Sequence, residues 1–312
     1  MKAVRIHDYG DRSRLRHEDA PGPQLRPGDV LIRAAAAAVN PADCQFRRGD
    51  YQAFAPLTFP AILGWDVAGT VERIGPQAAG WSVGDRVMAM CDMSRPGAYA
   101  ELVAVDANHL APAPASLPLR HAAAIPLAAL TAWHALHDLA GLRARQTVLV
   151  HAAAGGVGQM AVQMARSAGA RVIATASPAN HALLHSLGAD ECIDYRASDW
   201  PEKLTGACDC VLDGAGGETR ARSWSVLKPG GVMVAIAMPP IDPGEAAAHG
   251  CRAALAQVVP NGERLHAIGQ LVDAGQLRVA IDSEFPLAEV VAAHARSESR
   301  HAVGKILLTM AH

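Results

Sequence analysis

A turn of small residues, Ala153-x-Gly155-x-x-Gly158, is the feature of this sequence with the clearest chemical purpose. Small residues at this spacing permit a tight turn and let the backbone approach a pyrophosphate, and the last glycine lets a helix pack closely on a strand. An apolar run precedes the turn and a helical pattern follows it, so the first N–H groups of that helix are expected to face phosphates. The sequence therefore predicts a dinucleotide site whose phosphate-binding part comprises Ala153, Gly155, Gly156, Val157 and Gly158.

The end of the next strand pattern, 171–175, bears on the choice of dinucleotide. An NAD site usually carries an acid about 20 residues after the glycine turn, where it binds the ribose hydroxyls, and here no acid occurs before Asp190. The missing carboxylate removes repulsion of a 2′-phosphate and favours NADPH, with Arg196 in the next loop expected to add positive charge. The alternative is a solvated loop in which a serine caps the next helix. Hydrogen bonds to the 2′-phosphate are predicted from Ser177, Asn180 and His181.

The composition is typical of a globular enzyme. The chain has 312 residues, enough for two domains, with 50% hydrophobic and 19% charged residues and a net charge of −2. That charge gives no electrostatic reason to expect nucleic acid or a membrane as a partner, and no apolar run approaches the roughly 20 residues that cross a bilayer. Residues 1–7 have the pattern of a short charged strand rather than a signal peptide, so a cytoplasmic location is expected.

The six cysteines provide no recognisable metal or disulfide framework. None forms a Cys-x-x-Cys pair, and Cys208-Asp209-Cys210 has the wrong spacing for zinc ligands. His181 and His185 have helical spacing, but no third ligand is evident. Reduced thiols and no metal site are therefore expected.

The chain contains two kinds of secondary-structure pattern. Residues 1–120 hold short strand patterns broken by Pro and Gly, which predict a small β-barrel-like domain. Residues 121–259 repeat strand and helix patterns, which predict a parallel sheet. Residues 260–312 again show strand patterns, on either side of a helix predicted at 288–296, and are expected to fold back onto the first domain. The predicted strands of the parallel sheet are 147–151, 171–175, 191–193, 209–213 and 231–236, with helices at 160–168 and 179–187.

Six segments, in the same order, resemble the zinc-independent quinone oxidoreductase branch of the medium-chain dehydrogenase/reductase superfamily. They extend over nearly the whole chain: 39–43, 64–71, 97–101, 124–133, 151–158 and 301–308. The resemblance implies an α/β fold in which a GroES-like, β-barrel-type domain is split around a Rossmann domain with a doubly wound parallel sheet. It also implies a homodimer, expected to form through the sheet edge near 231–236.

The same resemblance argues against zinc. Zinc-dependent relatives carry Cys where this sequence has Asn40, and His-Glu where it has Trp65-Asp66. Tryptophan cannot ligate zinc and an amide is a poor substitute for a thiolate, while Cys44 alone cannot build a site. Without a Lewis acid, the expected reaction is hydride transfer from NADPH to an acceptor that is already electrophilic.

Three first-domain residues are candidates for catalysis, and two of them, Asn40 and Asp43, are expected near the nicotinamide and the substrate. Asn40 is expected to hydrogen-bond a carbonyl oxygen, with a turn-forming Asn before Pro41 as the alternative. Asp43 is expected to orient a water or the cofactor ribose, or else to stabilise its loop. Tyr51 is expected to cover the pocket or donate a proton, or else to lie exposed. Family members often have Tyr where this sequence has Gln45, which leaves room for a different acceptor.

Five further residues are predicted to contact the cofactor. Thr131 resembles the position under the nicotinamide, the alternative being a helix Thr bonded to its own turn. Asp213 and Gly214 follow a strand at the edge where open α/β sheets bind ligands, and Ile236 follows the next strand. A plain turn at 213–214 is the alternative. Tyr195 is expected near the adenosine phosphate, or on the surface.

These observations predict an NADPH-dependent, zinc-free oxidoreductase that transfers hydride to a quinone or an α,β-unsaturated carbonyl. A second prediction is a reductase of enoyl thioesters or other enones with little quinone activity. A third is a regulatory protein that binds NADPH without turnover. Acceptor preference separates the first two, and NADPH binding without acceptor reduction would identify the third.

Overall fold

The computed structural model describes residues 1–311 and divides the chain into two compact units. The first unit comprises Met1–Leu130 together with the tail that begins at Val259, and the second comprises Thr131–Val258. The division after Leu130 lies beyond the predicted limit at residue 120. The reason is the 3-10 helix Leu119–Ala124, which packs on strands of the first unit.

Short antiparallel strands dominate the N-terminal part of the first unit. Its helices are α1 (Pro41–Arg48) and α2 (Pro126–Trp133), and the division between the units falls within α2. β1 pairs with both β2 and β4, while β3 pairs with β5 and β7. The strands are β1 (Lys2–Ile6), β2 (Arg16–Asp19), β3 (Asp29–Val39), β4 (Ala61–Ile62), β5 (Asp66–Ile74), β6 (Arg86–Met90), β7 (Leu102–Asp106) and β8 (Leu110–Pro112).

The second unit alternates strands and helices. Its strands are β9 (Thr147–Val150), β10 (Arg171–Ala176), β11 (Glu191–Asp194), β12 (Cys208–Asp213), β13 (Leu227–Ala235) and β14 (Arg252–Leu255). The helices between them are α3 (Gly156–Ser167), α4 (His181–Ser186), α5 (Trp200–Lys203), α6 (Gly217–Ser223) and α7 (Pro243–Ala248). All the strand pairs are parallel, so the predicted parallel sheet is confirmed.

The strand order of this sheet, β11-β10-β9-β12-β13-β14, is doubly wound. The chain leaves β9 toward one edge through β10 and β11, then returns to the other side of β9 through β12. In open α/β sheets, ligands bind outside the carboxyl ends of the strands at such a reversal. The turns that follow β9 and β12 are therefore where this topology predicts a ligand site.

Two predictions for this sheet need adjustment. The helix predicted over 179–187 begins as a 3-10 turn at Pro178–Asn180, and α4 itself is shorter. The sheet edge expected near 231–236 is wrong, because β13 is paired on both sides, with β12 and with β14. β14 and β11 are the edge strands instead. A fully hydrophobic run such as Val232–Ala235 suits an interior parallel strand, which is buried on both faces.

The tail returns to the first unit. It contains α8 (Gly262–Asp273), β15 (Ile281–Pro286), α9 (Val290–Glu298) and β16 (Lys305–Thr309). β16 pairs antiparallel with β3, which places Leu307 opposite Ala38, and β15 then pairs with β16. The larger sheet of this unit has the order β15-β16-β3-β5-β6-β8, with β7 also on β3.

The alanine-rich strand β3 lies at the centre of that sheet. Ala34 and Ala36–Ala38 are fully buried, because α9 and neighbouring strands pack against β3. Small side chains let adjacent strands approach closely: a Cβ on Gly69 of β5 would lie 2.1 Å from Arg33 O. This close packing fixes the carboxyl end of β3, where the polar residue Asn40 follows.

Candidate functional site

The turn after β9 leaves the N terminus of α3 free to bind a ligand. α3 begins at Gly156 with Gly155 as its N-cap, and no side chain among residues 1–311 caps this end. The first N–H groups of a helix have no acceptor within the helix, and together with the helix dipole they attract anions. Within 4 Å, a Cβ on Gly155 would meet Ala152 O alone, at 3.3 Å. This geometry suits a pyrophosphate.

Gly158 serves packing rather than ligand access. A Cβ added to it would lie 2.5 Å from Ala152 O and 2.6 Å from Ala153 Cα, closer than non-bonded atoms tolerate. The turn is joined to the sheet by Ala153 N–H, which donates to Thr175 O at 3.1 Å. The two glycines of the motif therefore have different tasks: Gly155 exposes backbone donors and Gly158 permits the helix to start against the turn.

His151, the residue after β9, links three elements beneath the turn. Its Nδ1 lies 2.9 Å from Thr175 Oγ1 and its Nε2 lies 2.8 Å from Ser223 Oγ, so it joins β9 to β10 and α6. Burial lowers the pKa of His151 to about 4, which keeps the ring neutral at pH 7. A neutral histidine with both nitrogens engaged holds the sheet edge in place and is a poor proton donor.

The residues predicted at the 2′-phosphate lie together after the carboxyl end of β10. Asn180 Nδ2 donates to Ser177 Oγ at 3.1 Å, and His181 Nε2 lies 3.2 Å from Ala176 O. Tyr195, predicted at the adenosine phosphate, follows β11 and is exposed. The predicted residues thus form a partly exposed polar group at the end of β10.

An acid that sequence spacing missed lies at the same edge. β11 pairs in parallel with β10, which aligns Asp194 with Ala176. Asp194 binds the Arg196 guanidinium through both oxygens, with Nε 3.0 Å from Oδ1 and Nη2 2.9 Å from Oδ2, and these hydrogen bonds lower the pKa of Asp194. Arg196, expected to bring charge to the cofactor, is therefore paired within its own loop. Strand pairing between β10 and β11 is the signal that would have identified this acid.

Two further turns reach the same edge of the sheet, after β12 and β13. Asp213 is buried, and its Oδ1 accepts from the N–H groups of Ala215 and Gly216, at 3.0 and 2.8 Å. A Cβ on Gly214 would lie 3.4 Å from Ile236 Cδ1 and 3.2 Å from the backbone of the turn after β9. Asp213 therefore shapes its own turn instead of offering a free carboxylate, and Gly214 lets three turns meet.

Thr131 carries a buried hydroxyl that lacks a protein partner. It lies in α2, and its Oγ1 makes no hydrogen bond to any residue of the described chain. The alternative of a bond back to its own turn is therefore not realised. Because an unpaired buried hydroxyl costs about 1–3 kcal/mol, this one fits a polar group of a bound cofactor.

In the first unit, Asn40 belongs to a closed cluster of buried polar groups. Asn40 Nδ2 donates to Asp66 Oδ2 at 2.9 Å, while Lys305 Nζ donates to the same oxygen at 3.1 Å and also to Asn40 Oδ1. The other oxygen of Asp66 accepts from Leu127 N–H at 2.7 Å. Both ends of the Asn40 amide are thus engaged by the protein. No local sequence pattern indicated this cluster, because Lys305 and Asp66 are 239 residues apart.

Asp43 is buried next to this cluster, in the first turn of α1. Its Oδ2 accepts from Asn40 N–H at 2.6 Å, which forms part of a capping box at the start of the helix. Burial raises the pKa of Asp43 to about 7, with a further contribution from the charge of Asp66, although the Asn40 N–H acts in the opposite direction. This contact matches the alternative role of Asp43, in which its carboxyl group stabilises its own loop.

Tyr51 follows α1 and points its hydroxyl at that helix. Tyr51 OH donates to Gln45 Oε1 at 2.8 Å, and its ring lies 4.7 Å from the ring of Phe46, centroid to centroid. The side chain is half-buried, and burial raises its pKa. Gln45, which departs from the family pattern, therefore orients the phenol of Tyr51.

Metal-binding and membrane-spanning features are absent from residues 1–311. No three or more His, Cys, Asp or Glu side chains in this part of the chain are grouped so that they could hold a metal ion. Its helices are all too short or too polar to cross a bilayer. The six cysteines are free, and burial raises the pKa of Cys44 to about 12, so its thiol is not an activated nucleophile.

A GroES-like unit completed by the tail, together with a doubly wound parallel sheet and its glycine turn, defines a medium-chain dehydrogenase/reductase. Comparison with family models agrees: residues 26–115 match the alcohol dehydrogenase GroES-like domain, and residues 187–308 match the zinc-binding dehydrogenase family. The chain belongs to the quinone oxidoreductase branch of this superfamily and is an oxidoreductase.

Three similar proteins illustrate the range of the branch. The structure of the quinone oxidoreductase from Coxiella burnetii has a TM-score of 0.93 and 35% identity, covering 99% of both chains. A mycobacterial protein solved in complex with NADPH has a TM-score of 0.88 and 33% identity, again over 99% of both chains. The 2-methylene-furan-3-one reductase of Solanum lycopersicum is 34% identical over 99% of this chain and 79% of its own length.

Proposed function

We propose that this protein is an NADPH-dependent reductase that delivers hydride to a quinone or an α,β-unsaturated carbonyl without zinc. The observation that carries the proposal is the uncapped N terminus of α3 beside Gly155, at the reversal point of the parallel sheet. Relatives that are named for a quinone, for an unsaturated furanone and for bound NADPH support the same chemistry.

Cofactor binding is assigned to the second unit. The N–H groups at the start of α3 bind the pyrophosphate, and Ser177, Asn180 and His181 bind the 2′-phosphate. The unpaired hydroxyl of Thr131, the backbone at Gly214 and the side chain of Ile236 hold the nicotinamide end. When bound, NADPH supplies the hydride, so the protein needs to provide orientation and exclusion of water.

Acceptor chemistry is assigned to Tyr51 of the first unit. Gln45 Oε1 accepts the Tyr51 hydroxyl proton in a hydrogen bond, which holds the phenol oxygen in one place. Reduction of a quinone or enone places negative charge on an oxygen, which takes a proton from Tyr51 or from water. Asn40 and Asp43 act as positioning residues, since both ends of the Asn40 amide and Oδ2 of Asp43 already bind the protein.

The absence of zinc in the proposed mechanism rests on the donor set. At the positions where zinc-dependent relatives carry ligands, this chain has Asn40, Trp65 and Asp66. The ammonium group of Lys305 is hydrogen-bonded to both Asn40 and Asp66. A divalent cation there would be repelled by this buried positive charge. The carboxylate of the cluster, Asp66, already has Lys305 as its positive partner.

The proposal includes two alternative activities, together with the oligomeric state, the cofactor preference and the location of the protein. An enoyl-thioester or other enone reductase is the second candidate, favoured by Gln45 in place of the family tyrosine, and NADPH binding without turnover is the third. A homodimer is proposed through an edge of the parallel sheet, where the edge strands are β14 and β11 and β13 is an interior strand. NADPH is proposed over NADH, and the cytoplasmic location stays a prediction from the sequence.

The decisive test compares NADPH with NADH against an ortho-quinone, a para-quinone and a simple enone. We expect oxidation of NADPH by at least one of these acceptors, and the preferred acceptor identifies the subclass. Zinc content of the purified protein is measured in the same preparation, and we expect less than a stoichiometric amount. Tight NADPH binding with no turnover of any acceptor would reject the reductase in favour of the regulatory protein.

A further inference from the structure

Arg220, a residue of α6 that the sequence did not single out, joins two of the turns at the carboxyl edge of the parallel sheet. Its Nε donates to Asp213 Oδ2, its Nη1 donates to Pro239 O and its Nη2 donates to Ala237 O, each at 2.5 Å. The Arg220 side chain is 8% exposed and the Asp213 side chain is fully buried. One side chain therefore fixes the turn after β12 against the segment that follows β13.

The contacts of Asp213 extend this junction. While Oδ2 binds Arg220, Oδ1 accepts from the N–H groups of Ala215 and Gly216. The carbonyl of Asp213 also accepts from Ile236 N–H at 3.0 Å. Both turns are thus held by the same buried residue pair, and neither can move without breaking a charge-assisted hydrogen bond.

The planar guanidinium group is suited to this task in a way that a lysine is not. Its donors project in a fixed fork, so a carboxylate and two carbonyl oxygens are bound at once. A lysine at position 220 would keep the positive charge but would concentrate its donors on one nitrogen. Asp213 would still have a positively charged partner, but that side chain would no longer set the distance between the two turns.

We propose that Arg220 is a positioning residue that fixes the nicotinamide end of the cofactor, and through it the geometry of hydride transfer. This inference rests on the proposed function, in which Gly214 and Ile236 hold the nicotinamide. The hydrogen bonds of Arg220 go to Asp213, Ala237 and Pro239 in the two segments that carry those residues, so its role in the proposal is to position them. The adenosine end is assigned to Ser177 and Asn180 on the turn after β10, and none of these three hydrogen bonds of Arg220 goes to that turn.

The test compares Arg220→Lys with Arg222→Lys, a matched control on the same helix whose guanidinium binds Ser198 O in another loop. Two ligands are titrated: NADPH, and adenosine 2′,5′-bisphosphate, which carries only the adenosine end. For Arg220→Lys we expect NADPH affinity to fall about 10-fold and kcat to fall at least as much, because small misplacement of a reacting group is costly. Affinity for the bisphosphate should stay within about 2-fold, and Arg222→Lys should match the wild type in every measurement.

A deuterium isotope effect separates positioning from a general loss of structure. With NADPH deuterated at the transferred position, the isotope effect on kcat should rise in Arg220→Lys, because hydride transfer becomes slower relative to product release. If Arg220→Lys does not fold, the double variant Asp213→Asn/Arg220→Gln removes both buried charges, and the same isotope effect is expected. Equal weakening of both ligands, or an unchanged isotope effect in a folded variant, would overturn the inference. Failure of the wild type to bind NADPH would instead reject the proposed function.

Discussion

Two polar regions of this molecule, one in each unit, differ in how fully their hydrogen-bonding groups are used. In the first unit, Asn40, Asp66 and Lys305 bind one another, and the cluster is closed. In the second, the start of α3 offers uncapped N–H groups, and Thr131 presents a hydroxyl without a partner in the described chain. We therefore expect the closed cluster to stabilise the first unit and the open region to bind the ligand.

The difference has a simple energetic origin. A buried charge that loses its partner is strongly destabilising, so the residues of a closed cluster are tied to the stability of their unit. Unpaired donors at the surface of a helix terminus are satisfied by water and can exchange it for a phosphate. Substitutions in the first region should therefore change unfolding, and substitutions in the second should change binding.

The largest effect is expected from Lys305→Met. This change leaves the buried carboxylate of Asp66 without its positive partner, and the free energy of unfolding should fall by about 3–5 kcal/mol. Urea denaturation followed by circular dichroism measures it. The double variant Asp66→Asn/Lys305→Met, which removes both charges, should recover much of the loss. A loss below about 1 kcal/mol in the single variant would mean that the closed cluster is not a determinant of stability.

Gly155→Val is the reciprocal change in the open region. NADPH affinity should fall at least about 100-fold, because a branched side chain covers the donors that bind the pyrophosphate. The free energy of unfolding should change by only about 1 kcal/mol, since Gly155 has an ordinary φ of −77° and a single close neighbour. Isothermal titration and urea denaturation give the two values. Gly22→Val, at a glycine with no atom within 4 Å of an added Cβ, is the control.

Unaltered NADPH affinity in Gly155→Val would remove this turn from the cofactor site. Gly158→Val sharpens the contrast within the motif, because its Cβ would clash with the backbone of Ala152 and Ala153. That variant should lose stability as well as binding.

The pH dependence of stability should have opposite signs at two buried groups. Asp43 has a pKa of about 7 when folded and 3.8 as its ordinary value, so between pH 4 and 7 the folded state holds a proton that the unfolded state has lost. Stability due to Asp43 therefore falls as the pH rises through this window. His151 has a pKa of about 4 when folded and 6.5 ordinarily, so its contribution rises with pH between those values.

Urea denaturation of Asp43→Asn and His151→Gln at intervals between pH 4 and 7 tests both signs. Relative to the wild type, Asp43→Asn should gain stability as the pH rises, because the neutral amide has no proton to lose. Relative to the wild type, His151→Gln should lose stability as the pH rises over the same range, because only the wild type gains stability from the titration of His151. Parallel curves for the wild type and Asp43→Asn would show that this carboxyl group titrates normally.

The smallest effect is expected from Asp194→Asn at the edge of the open region. The change frees the Arg196 guanidinium from its pair and removes a negative charge near the predicted 2′-phosphate residues. The ratio of NADPH to NADH affinity should rise about 3-fold, a modest value because both side chains face solvent. Asp199→Asn, which breaks an exposed pair with Lys203, is the matched control. A fall in the ratio would place the 2′-phosphate away from this edge.

The strand–helix repeats and the glycine spacing were sufficient to predict the parallel sheet and the location of the turn before α3. Local patterns of this kind work because hydrophobic periodicity and backbone conformation act over a few residues. The sheet edge was wrongly placed at β13, because strand order is a long-range property. For the same reason Asp194 was missed: its alignment with Ala176 depends on the pairing of β10 with β11.

By itself, the sequence determined the fold class, the glycine turn and the residue types at positions 40, 65 and 66 on which the proposal of a zinc-free reaction rests, since these depend on residue type and short spacing. The tertiary structure decided which polar groups are engaged and which are open. Lys305 reaches Asn40 across 265 residues of chain, and Arg220 reaches two turns that belong to different strands. A hydrogen bond requires its two atoms to lie about 3 Å apart, and only the folded chain brings such distant residues to that distance.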